Sequence, residues 1–233
     1  MNFFPSFFLL YPLSSTQEVK LNYSRRINRP QTSTLNPFVD FSDPLNLRTG
    51  NPNLEAEFTD SFEFSYSKDW KKFFFAPTLF FRKSTNVIQR VIEVSDDNIS
   101  TVTFDNINQR YLTGGEFVLR YSPTSHWNLT LNSNVFNLRI TGESEEYTNN
   151  GWTSDFMLMS NLRIPNVCQF QVMGQYISPI TIPQGELDEI YSINIGIRRP
   201  VLKNQGNISL SITDISDSRA FNISTFGDVF IAV

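Results

Sequence analysis

The sequence predicts an all-β fold, an antiparallel transmembrane β-barrel meander of ten or eleven strands. Three observations carry that expectation: a two-residue apolar period, short turns alternating with long links, and an aromatic-rich composition with little alanine. Alanine, the best helix former, occurs only at positions 56, 76, 220 and 232, whereas the 22 Phe favour extended chain. No composition shift marks a boundary, so residues 1–233 read as one unit.

The period is clear from the first polar stretch onward. Residues 1–13 are hydrophobic but lack a positive n-region, the first Lys being Lys20, so they read as a strand and not as a secretory signal. Next, Val19, Leu21 and Tyr23 alternate with Lys20, Asn22, Ser24 and Arg26, which puts the two sets on opposite faces of an extended chain. Phe58, Phe62, Phe64 and Tyr66 likewise oppose Thr59, Ser61, Glu63 and Ser65. Between Asn128 and Ile140 the apolar phase moves from Leu129, Leu131 and Val135 to Phe136, Leu138 and Ile140, which predicts a β-bulge. Phe156, Leu158 and Leu162 then oppose Asp155, Asn161 and Arg163. Tyr191, Ile193, Ile195 and Ile197 oppose Ser192, Asn194 and Arg198, and Ile208, Leu210 and Ile212 oppose Ser209, Ser211 and Thr213.

Short polar turns are expected at 14–16, 67–71, 122–126, 164–167 and 200–206, and longer links at 28–55, 85–108, 141–151, 178–188 and 214–221. Sorting by length, with short turns at one end and long loops at the other, is the asymmetry of a bacterial outer-membrane barrel. Several strands run to about 10–13 residues, enough to cross a bilayer at a tilt, where soluble sheets use about five or six. Trp70 and Trp127 at short turns and Trp152 at the outer end of a strand fall where interfacial aromatic belts would lie. Alternation by itself also fits a soluble β-sandwich binding module, so that alternative stays open.

Composition excludes several classes of function. A net charge of -4 offers no basic footprint for nucleic acid. The lone cysteine, Cys168, and the lone histidine, His126, give no disulfide, CxxC pair or His-based metal cluster. No apolar run reaches the roughly 20 residues of a spanning helix. Ser, His and Asp occur, but His126 lies in a short turn, away from the long loops where substrate would arrive, so no enzyme and no cofactor are expected. Glu143, Glu145 and Glu146 read as a solvated loop in preference to a cation site, and Asp214 and Asp217 read as turn formers. Gly50, Asn51 and Pro52 read as a turn that sends the chain back into the membrane, with Gly and Asn chosen for positive φ.

The most specific signal is an ordered set of motifs. SRRINRP at 24–30 is followed by LNPF at 35–38, DP at 43–44, GNPNL at 50–54 and the strand FTDSFEFSY; then come DNINQRYLTGGEF at 105–117, PQG at 183–185 and SLSITDISDSR at 209–219. This set resembles the barrel region of TonB-dependent receptors in the outer-membrane β-barrel family, over nearly the whole chain. Two departures stand out: Ala56 before Glu57 where the family usually has Pro, and an end in FGDVFIAV where the family closes with an aromatic residue.

The resemblance implies a Gram-negative outer-membrane location, contact with outer-membrane lipid, and a place in a wider barrel of about 22 strands. It also implies partners outside this chain: a plug domain, the remaining strands including a closing one, and a TonB-type energising complex. The nutrient would be a siderophore, a cobalamin or a glycan. Arg25, Asn28, Pro30, Pro37, Phe38, Gly50, Asn51, Pro52 and Asn53 are then structural members of the motifs, and Arg26, Arg29 and Asn36 the candidates for substrate or plug contact. By alternation Arg26 falls on the polar face and Arg29 lies past the strand end. A self-contained small barrel, porin-like or adhesive, remains the alternative within the membrane class.

Overall fold

The computed structural model describes residues 3–95, 97, 99–142, 148–182, 185–202, 205–219 and 222–225. Ten strands form an antiparallel meander in which neighbours in sequence are neighbours in space. They are β1 (Ser6–Ser14), β2 (Gln17–Asn28), β4 (Glu57–Asp69), β5 (Phe73–Val94), β6 (Ser100–Thr124), β7 (Trp127–Thr141), β8 (Asn149–Ile164), β9 (Cys168–Ile177), β12 (Ile190–Val201) and β13 (Gly206–Ile212). The link from β2 to β4 holds one helical turn, α1 (Thr32–Leu35), and a short strand, β3 (Asn46–Arg48), which pairs in parallel with β6. A second sheet of β10 (Ile180–Ile182), β11 (Gly185–Leu187) and β14 (Ile223–Thr225) sits on the long-loop side. Among the described residues no Greek-key crossover interrupts the meander, and β1 and β13 are its two edges, so the described sheet is not closed.

The two faces separate as alternation requires. Leu21, Phe64, Leu79 and Val135 occupy one face, and Phe62, Leu158, Ile193 and Leu210 share it, several of them half exposed: Leu158 is 50 % exposed and Leu210 63 %. Ser61, Ser84 and Ser192 lie on the opposite, polar face, and Ser84 and Ser192 are only 2 % exposed. Apolar side chains outside and polar side chains on the occluded side invert a soluble protein, and they match a sheet curled around an aqueous lumen within lipid. The soluble-sandwich alternative fails on this point. Two ion pairs form on the polar face: Arg82 donates to Glu63 at 3.1 Å and Arg110 to Glu57 at 3.0 Å.

Trp70, Trp127 and Trp152 are all substantially exposed. Leu162, the register partner of Trp127, lies ten residues along β8 from Trp152. At ~3.3 Å per residue and a tilt of about 40°, that separation corresponds to ~25 Å across the membrane, the height of a barrel's apolar band.

Three local expectations need correction. The stretch 85–108 is not a long link: β5 and β6 run on as one hairpin, paired from Phe73 and Tyr121 to Val94 and Ser100. The hairpin outruns its neighbours, since β4 leaves it at Thr85 and β7 at Gln109. The period changes there because Asn86 is left-handed (φ 53) and buried positions switch from Phe80 and Ser84 to Val87 and Val91. Nor does β7 carry a bulge, for its pairing with β6 and β8 is unbroken from Leu129 to Ile140, and the only shift lies between Tyr121 and Thr124. Phe136, Leu138 and Ile140 instead change faces: they lie on the polar face at its outer end, where Leu138 and Ile140 form a buried cluster with Val87 and Ile107. Finally, the meander expectation did not include the parallel pairing of β3 with β6. Glu143, Glu145, Glu146, Pro183 and the final FGDVFIAV lie outside the described residues.

A lipid-facing charge near mid-membrane tests the assignment of faces. In the full-length protein, Leu158→Arg is expected to destabilise the folded barrel by about 2–4 kcal/mol, whereas Asn132→Arg on the lumen side changes stability by less than about 1 kcal/mol. Urea unfolding in vesicles measures both, and equal losses would contradict the assignment.

Candidate functional site

The long link between β2 and β4 is folded by the same motifs that make the sequence familiar. The Asn36 carbonyl accepts the Gly50 N–H at 2.8 Å and the Thr34 carbonyl accepts the Asn51 N–H at 2.8 Å, so the LNPF and GNPNL segments form one unit. A Cβ on Gly50 would lie 2.6 Å from both the Asn36 and the Thr34 carbonyl oxygens. Gly50 is thus required for close approach, and neither it nor Asn51 has the positive φ anticipated from the sequence. Asn51 works twice: its side-chain carbonyl accepts the Asn53 N–H at 2.9 Å, and its amide donates to the Phe104 carbonyl at 3.1 Å.

The unit is tied to the projecting hairpin at a second place. Asn106 accepts the Glu55 N–H at 2.7 Å and donates to the carbonyls of Glu55 at 3.1 Å and Asn86 at 2.8 Å. Asn86 in turn donates to the Glu55 carboxylate at 2.9 Å. Thr49 adds a backbone bond to the Val102 carbonyl at 3.0 Å, and Leu54 is buried beneath the turn. Backbone groups that no sheet neighbour could satisfy are satisfied here by asparagine side chains.

A cleft of about 380 Å³ lies between this latch and the hairpin, lined by Ser33, Asn36, Asp40, Arg48, Thr49 and Arg90 among others. Two guanidinium groups and one carboxylate suit it to an anion. Asp40 is turned toward its own loop: the Ser42 hydroxyl and then the Ser42 N–H hold its carboxyl below the usual range. Asp43 is lowered in the same way by the Asn46 side chain and the Leu45 N–H. Both are Asx-type turn formers.

The predicted contact residues do not converge. Asn36 lines the cleft; Arg26 is on the lumen face opposite Thr59 and exposed; Arg29 follows the end of β2. Arg25 is on the other face, 3.8 Å from Asp60 and above the Phe58 ring. Asn28 ends β2 opposite Glu57, and Pro30 and Pro37 flank α1. Phe38 is 82 % exposed beside the cleft, and Pro52 and Asn53 complete the turn. Arg48 and Arg90 went unremarked in the sequence, though each is the sole cation of its segment, 30–56 and 85–108. Asp214 accepts the N–H groups of Ser218 and Arg219, as a turn former does. Among the described residues no group of three potential metal ligands comes together.

The lumen face carries a second polar surface. Asn128, Asn161 and Gln171 are consecutive register partners, as are Arg163, Gln169, Arg198 and Ser209 one step nearer the short turns. Among the described residues, several buried polar atoms on that face have no hydrogen-bond partner: Ser24 Oγ, Arg110 Nε, Asn134 Oδ1, Asp155 Oδ1 and Ser192 Oγ.

The sequence profile of the outer membrane protein beta-barrel family matches residues 1–233. No curated protein matches the chain significantly in sequence. Among solved structures, a siderophore receptor PirA from Pseudomonas aeruginosa is similar with a TM-score of 0.69 at 14% identity, over 94% of this chain and 39% of that one. The FrpB iron transporter from Neisseria meningitidis gives 0.64 at 12% identity, over 97% and 36%. The ferric yersiniabactin uptake receptor FyuA from Yersinia pestis gives 0.64 at 12% identity, over 92% and 32%. At such identities the likeness is one of fold, and the chain spans between about a third and two-fifths of these proteins' length.

Two outcomes test the latch. Gly50→Ala forces backbone apart at a cost of about 1–3 kcal/mol, so tryptic cleavage after Arg48 in the full-length protein should quicken by roughly tenfold while the barrel keeps its heat-modifiable gel migration. Unchanged cleavage would contradict the close approach. Because the Asp40 carboxyl is depressed by folding, its turn is fully supported above the ordinary value of 3.8 and loses support as pH falls through the lower folded value. Exchange of the Ser42 amide should therefore gain protection loss only in that acid range.

Proposed function

The chain belongs to the outer membrane protein β-barrel family, and from that premise we propose that it is part of the wall of a TonB-dependent receptor for a scarce nutrient. It resides in the outer membrane of a Gram-negative bacterium. The observation that carries the proposal is the lumen face: a polar surface with rows of Asn, Gln and Arg side chains, on a sheet whose edges do not meet among the described residues. Such a surface suits a plug domain packed inside a wider barrel completed by further strands. The self-contained small barrel has less support, since β1 and β13 do not pair.

In this reading the wall acts passively. Arg26 and the Asn128, Asn161 and Gln171 row would face the plug, and a TonB-type complex in the inner membrane would supply the energy through it. The outer cleft would meet the nutrient first. Arg48, Arg90 and Asn36 favour an anionic one, which among siderophore, cobalamin and glycan points to a ferric siderophore bearing free carboxylate or catecholate oxygens.

Uptake of radiolabelled iron chelates tests this in iron-starved cells. Cells making the full-length gene product should accumulate one such chelate and lose at least about tenfold of the apparent affinity on Arg48→Gln with Arg90→Gln, a change of about 1.4 kcal/mol. Residues 1–233 alone should support no uptake. Substrate-dependent uptake by that segment in isolation would overturn the wall reading, and undiminished affinity in the double variant would overturn the assignment of the cleft.

A further inference from the structure

The methionines of the described strands are Met157 and Met159 on β8 and Met173 on β9, and they all stand on the polar face. Their parity is that of Asn161 and Gln171, each two residues away on its own strand. On the same two strands Phe156, Leu158, Leu162, Phe170 and Val172 take the lipid side, which is where apolar bulk alone would be placed. Nor do the methionines extend the apolar cluster at the outer end of the lumen face. Met157 has Asn132 as its register partner on β7 and Gln175 on β9, and the Met159–Met173 pair lies between Thr130 and Asn194. Amides and hydroxyls thus flank the thioethers on both sides.

The three side chains are within reach of one another. Met159 and Met173 are direct register partners, so their Cβ atoms stand roughly 5 Å apart, and Met157 is one step of ~6.6 Å away on the same face. Each has the unbranched, flexible side chain that lets a sulfur be repositioned. The Gln171 amide donates to the Met159 Sδ at 3.7 Å, which turns that sulfur toward β9, the strand of Met173. All three residues are half-buried, so the lumen can reach them. Charge near them changes with depth. Glu116 and Asp155, joined through Asn134, occupy the row one step nearer the long loops than Met157. Arg163 and Arg198 lie two steps from Met159 toward the short turns. Arg120 shares the Met159 row but stands two strands away, its guanidinium 4.4 Å from the Phe74 ring centre.

We propose that Met157, Met159 and Met173 form a binding site on the lumen wall for a thiophilic monovalent cation, copper(I). Thioethers are soft, neutral donors that select copper(I), whereas zinc is held by thiolate, imidazole and carboxylate, and magnesium by oxygen. A thioether also has no proton to lose, so such a site keeps its affinity in mild acid, where imidazole and thiolate ligands are protonated away. The carboxylates of Asp155 and Glu116 supply negative charge on the outer side, from which a cation would arrive. The site goes beyond the uptake reading and rests only on the assignment of the lumen face, whatever nutrient the outer cleft admits.

Competition between the purified full-length protein and bathocuproine disulfonate for copper(I), kept reduced by ascorbate, tests it. The wild-type protein should hold one more copper(I) than the variant carrying Met157→Leu, Met159→Leu and Met173→Leu, and Met159→Leu alone should weaken that site by at least about tenfold. Leucine keeps the volume and removes the sulfur, so unchanged heat-modifiable gel migration separates a lost ligand from a lost fold. Silver(I) should displace this copper, zinc(II) and magnesium(II) at equal concentration should not, and the affinity should hold from neutral to mildly acid pH. X-ray absorption at the copper edge should show sulfur neighbours that diminish in the triple variant. Equal copper(I) binding by the triple variant, displacement by zinc(II), or coordination by nitrogen and oxygen alone would each overturn the proposal. None of these readouts depends on uptake, so iron-chelate uptake without a copper site, or the reverse, tells the two readings apart.

Discussion

In the hydrocarbon of a bilayer no water is available to an amide, so every backbone N–H and C=O of a spanning strand must find its partner on a neighbouring strand. The rest of this structure depends on that constraint. It explains the long ladders from β2 through β9, interrupted only locally opposite Pro77, at Asn86 and between Tyr121 and Thr124, the absence of a crossover among the described residues, and strands much longer than those of soluble sheets. Once the backbone is committed to ladders, side chains can only alternate, and the solvents on the two sides decide their chemistry. Edge strands β1 and β13, exposed along almost their whole length, are where the constraint is still unmet by the described residues.

Beyond the membrane the same backbone has other options, and the structure changes character. The β5–β6 hairpin outruns its sheet neighbours, Asn86 turns its buried positions to the other parity, and Val87 and Ile107 join Leu138 and Ile140 in a small apolar core. The β2–β4 link then takes the place of a lost strand neighbour, partly through β3 and partly through Asn51 and Asn106. Family motifs that read as loop punctuation are therefore joinery: they hold a long loop against the projecting hairpin, where a cleft with two arginines results.

Much of the wall was legible in the sequence because lipid and lumen impose a strict period of two, seen in Tyr23 against Asn22 or Phe64 against Glu63. The reading failed where that pair of solvents ends. At 85–108 contacts with the neighbouring loop and strand replace lipid, so Val87, Val91 and Ile107 follow local packing instead of a period. Phe136, Leu138 and Ile140 imitated a bulge because the lumen face is itself apolar at its outer end. The candidate site was harder still. Gly50 announces a special backbone position without saying whether φ or close approach demands it, and Arg48 and Arg90 lie 42 residues apart in sequence, joined only by the fold. Alternation did place Arg26 on the lumen face and Arg25 away from it.

The central claim is that one face of this sheet meets lipid and the other meets an aqueous lumen. Single cysteines introduced along β4 and β8 in a Cys168→Ser background, each carrying a nitroxide, would report it through collision with dissolved oxygen and with a water-soluble nickel chelate. The account predicts oxygen-dominated relaxation at Phe62, Phe64 and Leu158 and chelate-dominated relaxation at Ser61, Glu63 and Asn161, alternating residue by residue. Uniform protection of the apolar set from both agents, as in the closed interior of a soluble protein, would contradict it.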